Sequence, residues 1–447
     1  MANTAKATLI EGPVGKTLAQ LTWPMVIGLL GMVAFNLIDT FFVGQLGTKE
    51  LAALSFTFPV VLVINSLAMG LGIGTSAVIS RAIGEGDLEK VKRLTTDSLI
   101  LAVLIVAFFV GIGLLTIGPV FRLLGATPEL LPLIKSYMRI WYLGMVFVVV
   151  PMVGNNAIRA TGDTKTPSAI MLTAVGVNLI LDPLLIFGLG PFPRLELQGA
   201  ALTTVFARAI TFVVAIYVLA HRDRMITLVM KPFKSVINSW KRVLYIGLPA
   251  AGTRIIIPLV IGFITRIVSA YGTPAVAAYG VSSRIEFFAL AVVWALASVL
   301  APFVGQNWGA GRLERVKQGV RLSGRFSLAW GFGVFILLAV VARPVASVFN
   351  RNPDVISGIV LYLRIVSLAF GLQGVLVLST SVLNVLNKPF HAAGMIFFQM
   401  IALYVPLAYL GSALFGLTGV FGALALVYTL GGTASHFLLK HVIKTTV

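Results

Sequence analysis

Residues 84–92 read Gly84-Glu85-Gly86-Asp87-Leu88-Glu89-Lys90-Val91-Lys92. At an offset of 225 the chain reads Gly309-Ala310-Gly311-Arg312-Leu313-Glu314-Arg315-Val316-Lys317. Leucine and valine coincide by chance in any apolar chain; two glycines, a glutamate and a lysine at one offset do not. The same offset places Pro24 on Pro249, Gly47-Thr48 on Gly272-Thr273, and Ala52-Ala53 on Ala277-Ala278. It also places Pro128 on Pro353, and Tyr137, Arg139 and Ile140 on Tyr362, Arg364 and Ile365. The register holds without a gap from about 24 to 164 and then slips, so the chain reads as an internal duplication.

Each copy is a set of membrane spans. Of 447 residues, 58% are apolar and only 11% charged, against roughly 25% charged in soluble proteins. A spanning helix needs about 20 mostly apolar residues. Twelve such runs are expected, at about 17–43, 51–80, 95–120, 132–158, 165–189, 198–220, 242–270, 276–305, 322–346, 356–384, 389–414 and 417–440. A transmembrane barrel would alternate over about ten residues instead. The fold class is all-α integral membrane, with twelve transmembrane helices in two six-helix bundles. An even number of spans per copy brings both copies in from the same side, so a pseudo-two-fold axis along the membrane normal is expected. The expected lobes are 1–221 and 242–447, joined by a basic linker over 222–241.

The net charge of +19 reports orientation. Basic residues gather in alternate loops: Arg81, Lys90, Lys92 and Arg93; Arg159 and Lys165; Arg222, Arg224, Lys231, Lys234, Lys241 and Arg242; Arg312, Arg315, Lys317, Arg321 and Arg325; and Lys388. These loops, and both termini, are expected in the cytoplasm of a multi-pass plasma (inner) membrane protein. Base dispersed this way does not make a nucleic-acid surface. With no cysteine and no ligand spacing among four histidines, thiolate and histidine metal sites are excluded. The opening residues, with Lys6, Glu11 and Lys16, do not read as a cleavable signal. Gly12-Pro13-Val14-Gly15-Lys16-Thr17 resembles the end of a phosphate-binding loop, but Ile10 stands where the first glycine belongs, and no strand precedes it.

Nearly all 15 acids fall in loops or at span ends, and Asp163 and Asp223 are among those expected to be solvated. Asp39, Asp182 and Glu286 fall within spans. An acid there costs about 2.5–3.5 kcal/mol on insertion scales and is a functional candidate by default. Asn36 and Asp39 are three apart, and Asn178 and Asp182 four apart, so each pair shares a helix face. Pro183 cannot donate to the carbonyl of Leu179, which favours a bend and a free oxygen. Neither acid has a partner in the second copy: Asp39 faces Ile264, and Asp182-Pro183 faces Val405-Pro406. The pair is therefore dispensable to the repeated scaffold, which points to function. Pro24 permits bending of the first span. Glu286 reads as a structural or vestibule acid, with Arg254 and Arg266 as expected partners.

Together these residues resemble the multidrug and toxic compound extrusion family. The resemblance rests on Trp23-Pro24, on Asp39-Thr40-Phe41-Phe42-Val43-Gly44 with Gly47, and on Ala157-Ile158-Arg159-Ala160-Thr161-Gly162-Asp163-Thr164. Asn178 to Pro183 and Gly199-Ala200-Ala201 complete it. It covers nearly the whole chain and is most similar to the DinF-like branch. The resemblance implies a secondary antiporter that exports organic, often cationic, drugs or metabolites in exchange for H+ or Na+ by alternating access. It implies a coupling site at Asp39, Asp182 and Asn178 with a sixth-span threonine, best matched by Thr204 and alternatively by Thr203. Tyr137, Asn155 and Asn156, with Asn36, are implied cavity residues. Its partners are small organic substrates and the lipid bilayer, with no nucleic acid. No cofactor is implied, no metal beyond a Na+ at the coupling site, and a monomer is expected. A flippase or exporter of a lipid-linked or other endogenous solute is the alternative. An enzyme is disfavoured, because no nucleophile–base set lies in the spans.

Overall fold

A computed structural model describes residues 7–229 and 232–446. Lys6, Lys231 and the extreme termini assigned to the cytoplasm lie outside these residues. Every regular element among the described residues is helical. The first copy comprises α1 (Val14–Gly44), α2 (Thr48–Gly84), α3 (Leu88–Leu123), α4, α5 (Lys165–Phe187) and α6 (Glu196–Tyr217, extended by a π turn over Val218–Arg222). The fourth span, α4, is two pieces, Leu131–Gly144 and Val146–Ala160, inclined at 42°. The second copy comprises α7 (Phe233–Ser269), α8 (Thr273–Gly309), α9 (Leu313–Phe349) and α10 (Pro353–Val385). It ends with α11, which starts at Pro389, and α12, which runs to Thr446. A non-helical Gly416, at φ 61° and ψ −143°, parts these last two. Among the described residues, with the last long helix divided at Gly416, twelve spans therefore form, as expected.

The backbone repeats as the sequence does. Helices α2 and α8 start at the equivalent Thr48 and Thr273, and both run 37 residues. Gly86 and Gly311, also equivalent, turn the chain with φ of 77° and 70°, a left-handed conformation that favours glycine. Just beyond, Glu89 pairs with Lys92 at 2.8 Å and Glu314 with Lys317 at 2.9 Å. The break in α4 after Gly144 recurs in α10, where a short 3-10 turn over Ser367–Ala369 precedes Phe370.

Two compact units form, and their limits are not those of the two copies. One takes Trp23–Ala251 with the residues up to Thr8; the other takes Leu9–Thr22 with Gly252–Val447. The chain changes unit close to Pro24 and again close to Pro249. At each proline the missing amide lets a helix axis turn. Helix α7 begins at Phe233, inside the stretch read as linker, and its first part belongs to the N-terminal unit. There Trp240 Nε1 donates to the carbonyl of Asp97 at 2.9 Å. In the other unit the segment before α1 is held by side chains of α8 and α9 and their turn. The Leu9 amide donates to Gln306 Oε1 at 3.0 Å, and Asn307 donates back to the Leu9 carbonyl at 3.1 Å. Arg312 and Arg315 donate to the carbonyls of Ile10 and Gly12, each at 2.8 Å. Arginines on backbone carbonyls are the reverse of the amide cradle that a phosphate loop presents.

Two features position α5 and α6. The first corrects the expectation that Asp163 and Asp223 are solvated. Arg222 donates to Asp163 Oδ2 at 2.7 Å, to Thr166 Oγ1 at 2.7 Å and to Asp223 Oδ1 at 2.8 Å. Asp163 also caps α5, accepting from the Thr166 amide at 3.0 Å and its hydroxyl at 2.5 Å. Burial raises the Asp163 carboxyl, but the bonds from Thr166 and the charge of Arg222 more than offset this, holding it below its ordinary value of 3.8. The second feature is Gly199, where the helices touch: a Cβ there would stand 2.5 Å from the carbonyl oxygen of Leu185.

Asp163→Ala is expected to lower stability by about 1–2 kcal/mol, because it removes bonds to a charged, partly solvated carboxylate. A group held below its unfolded value stabilises above that value, and the contribution fades as pH falls through the folded one. The wild-type advantage in detergent melting should therefore persist at pH 7 and shrink below about pH 4. Gly199→Val is expected to cost about 1–3 kcal/mol by overpacking, read as a lowered melting temperature of the purified protein.

Candidate functional site

The site is a polar core in an apolar lobe. Asn178 and Asp182 lie one turn apart on α5, both with 0% exposure. The Asn178 amide donates to Asp182 Oδ1 across 3.3 Å. From α6, Thr203 comes close to the Asp182 carboxylate, although its hydroxyl donates to the Gly199 carbonyl at 2.8 Å. The sequence reading preferred Thr204, which is also buried, but the contact falls to Thr203. Successive helical residues point about 100° apart, so adjacent threonines cannot both face α5.

Asp39 comes from α1, half-buried, with Oδ1 closed off and unpaired. Its charge acts on Asp182, and both acids act on the buried Tyr137 of α4. Helix α1 runs unbroken through Pro24, and Asn36 is exposed. Asn155 is buried with Oδ1 unpaired. Asn156 is engaged elsewhere: its amide donates to the Met152 carbonyl at 2.7 Å, its oxygen accepts from Arg159, and it packs on Gly72. The structure therefore gathers Asp39, Asp182, Asn178, Thr203 and Tyr137, and gives Asn156 a packing role.

The chemistry of this core is one-sided. Asp39 Oδ1, Asn178 Oδ1 and Asp182 Oδ2 are all buried without a hydrogen-bond partner, and all three are acceptors. Two carboxylates facing acceptors in a poorly solvated site gain from a proton, which turns one into a donor, or from a small monovalent cation. Among the described residues no group of three or more His, Cys, Asp or Glu gathers for a metal.

Glu286 of α8 is met differently from the expectation. Its oxygens accept from Tyr362 of α10 and, at 2.6 Å, from Tyr428 of α12, so tyrosines rather than Arg254 or Arg266 hold it. Tyr362, in turn, packs on Phe421 at 5.0 Å. Sequence reasoning missed these tyrosines, which come from distant helices. It also missed Arg208, near the middle of α6, although a lone charge inside an apolar span was a visible signal. The Arg208 guanidinium lies 4.7 Å from the Phe35 ring centre.

Comparison with known proteins agrees with this architecture. The MatE family model matches residues 24–184 and again 249–410, two matches whose starts are separated by the offset of the repeat. The FAD transporter of Shewanella oneidensis is 39% identical over 97% of this chain and 96% of its own. The multidrug export protein MepA of Staphylococcus aureus is 27% identical over 96% of this chain and 94% of its own. The Vibrio cholerae MATE transporter VcmN in the bent form superposes with a TM-score of 0.92 at 31% identity, covering 97% of this chain and 98% of that one. A family pattern that fits each copy separately, and relatives that fit the whole, mean that this chain is a multi-pass membrane transporter belonging to the MatE (multidrug and toxic compound extrusion) family.

Proposed function

We propose that the protein is a secondary antiporter, in the DinF-like manner, that exports organic compounds in exchange for protons by alternating access. The observation that carries this reading is the set of buried, unpaired acceptor oxygens: Asp39 Oδ1, Asn178 Oδ1 and Asp182 Oδ2. The basic loops support placing it in the plasma membrane with both termini in the cytoplasm. Open to the outside, Asp39 and Asp182 take up a proton, or a Na+ shared with Asn178 and Thr203. Loading removes negative charge and the repulsion between α1 and α5, which lets α1 bend near Pro24 and releases cargo. Open to the cytoplasm, the ion leaves, and the restored charge attracts the next organic cation. Exchange requires ion and cargo to favour different states; a ligand with equal affinity for both would shift nothing.

A second reading concerns the cargo. The 39% identical relative is a FAD transporter, which favours an endogenous flavin nucleotide among the exported compounds. A flippase of lipid-linked solutes lacks a comparable observation in its favour.

Asp39→Asn is expected to abolish gradient-driven efflux from proteoliposomes, at least tenfold, while the purified variant elutes and melts like wild type; normal efflux would remove Asp39 from the coupling. With both gradients imposed independently, a proton gradient alone is expected to drive efflux, and added Na+ to leave the rate unchanged. Efflux that follows only the sodium gradient would make Na+ the coupling ion.

A further inference from the structure

Arg208 is a charge that the coupling scheme does not use. It lies near the middle of α6 and is partly buried, with Nε closed off and unpaired. None of the ion pairs among the described residues includes it. Its guanidinium rests over Phe35 at 4.7 Å. Phe35 is packed with Ala174 of α5 and Ala207 of α6. The residues packed beneath it stand one turn from the polar core: Phe35 precedes Asp39 by four residues, Ala174 precedes Asn178 by four, and Ala207 follows Thr203 by four. A cation inside a bilayer lobe pairs with an acid or marks a substrate path. Among the described residues it pairs with no acid, and its guanidinium stays over an aromatic ring. That fork matches two oxygens of a phosphate or carboxylate.

We propose that Arg208 is the anion-recognition residue of the N-terminal lobe, binding the phosphate of a soluble, ring-bearing exported compound. The proposal rests on the second reading above. The physical need is plain: Asp39 and Asp182 attract organic cations but repel a nucleotide. A fixed positive charge in the same lobe offsets that repulsion and lets the lobe accept cargo of either sign. Phe35 holds the guanidinium in place, and with Nε closed off the terminal Nη donors are left for the ligand.

The test compares riboflavin with flavin mononucleotide, which share a ring system and differ by one phosphate. Equilibrium dialysis on the purified full-length chain in detergent needs no gradient, so it is independent of the coupling ion. Wild type is expected to bind the mononucleotide at least tenfold tighter than riboflavin. Arg208→Gln is expected to bind the two alike, with riboflavin affinity unchanged, and Arg208→Lys to recover part of the preference. Equal wild-type affinity for the two flavins overturns the proposal, whether or not either variant folds. So does an Arg208→Gln protein that keeps the phosphate preference. So does Arg208-dependent binding of dihexanoyl phosphatidic acid without binding of the mononucleotide, which would assign the residue to a lipid headgroup. If the flavin preference holds while proton-driven efflux fails, the coupling reading falls and the anion site stands.

Discussion

The constraint on which the rest of this structure depends is the cost of an ionisable group inside a bilayer-spanning lobe. Each buried acid must find donors, a proton or an ion. The two units answer differently. In the second, Glu286 receives O–H donors from Tyr362 and Tyr428, and its oxygens are met by the protein itself. In the first, Asp39, Asn178 and Asp182 each keep a buried acceptor oxygen without a partner. The Glu286 arrangement is closed, whereas the Asp39–Asp182 arrangement leaves acceptors that a proton or a cation could complete.

The duplication makes this contrast sharper. Tyr137 and Tyr362 occupy equivalent positions in the repeat, and both are buried beside an acid. The acids themselves are not equivalent: Asp39 and Asp182 come from α1 and α5, Glu286 from α8. What the copies share is scaffold, namely the turns at Gly86 and Gly311, the ion pairs that follow them, and the breaks in α4 and α10. What differs is chemistry. A duplicated scaffold thus supplied two lobes of the same shape, and substitution inside each decided what its polar core could do.

This division also explains what the amino-acid order revealed. The spans were legible because a run of 20 apolar residues has few other fates. The turns were legible because a left-handed residue favours glycine. Asp39 and Asp182 stood out because an acid inside a span is rare. Other features depend on contacts that no local pattern encodes. Thr203 rather than Thr204 meets Asp182 because of the rotational setting of α6, fixed where Gly199 touches Leu185. Asp163 looked like a solvated loop acid because its partner, Arg222, lies 59 positions away. The exchange of Leu9–Thr22 between units follows from bonds to Gln306, Asn307, Arg312 and Arg315, almost 300 residues distant. Arg208 was legible in principle, since a lone charge in an apolar span is as visible in α6 as in α1.

Donor and acceptor direction then bears on which lobe couples. A carboxylate whose two oxygens already accept from tyrosines is satisfied without a proton, and protonation would require one tyrosine hydroxyl to turn and accept instead. A carboxylate facing other acceptors gains a hydrogen bond from the same event. A proton is therefore needed less at the Glu286 cluster than at the Asp39–Asp182 cluster. On this reasoning two lobes of common origin need not carry ions alike. A single tyrosine position, retained in both, serves as a closing donor in one and stands near carboxylates with unpaired oxygens in the other.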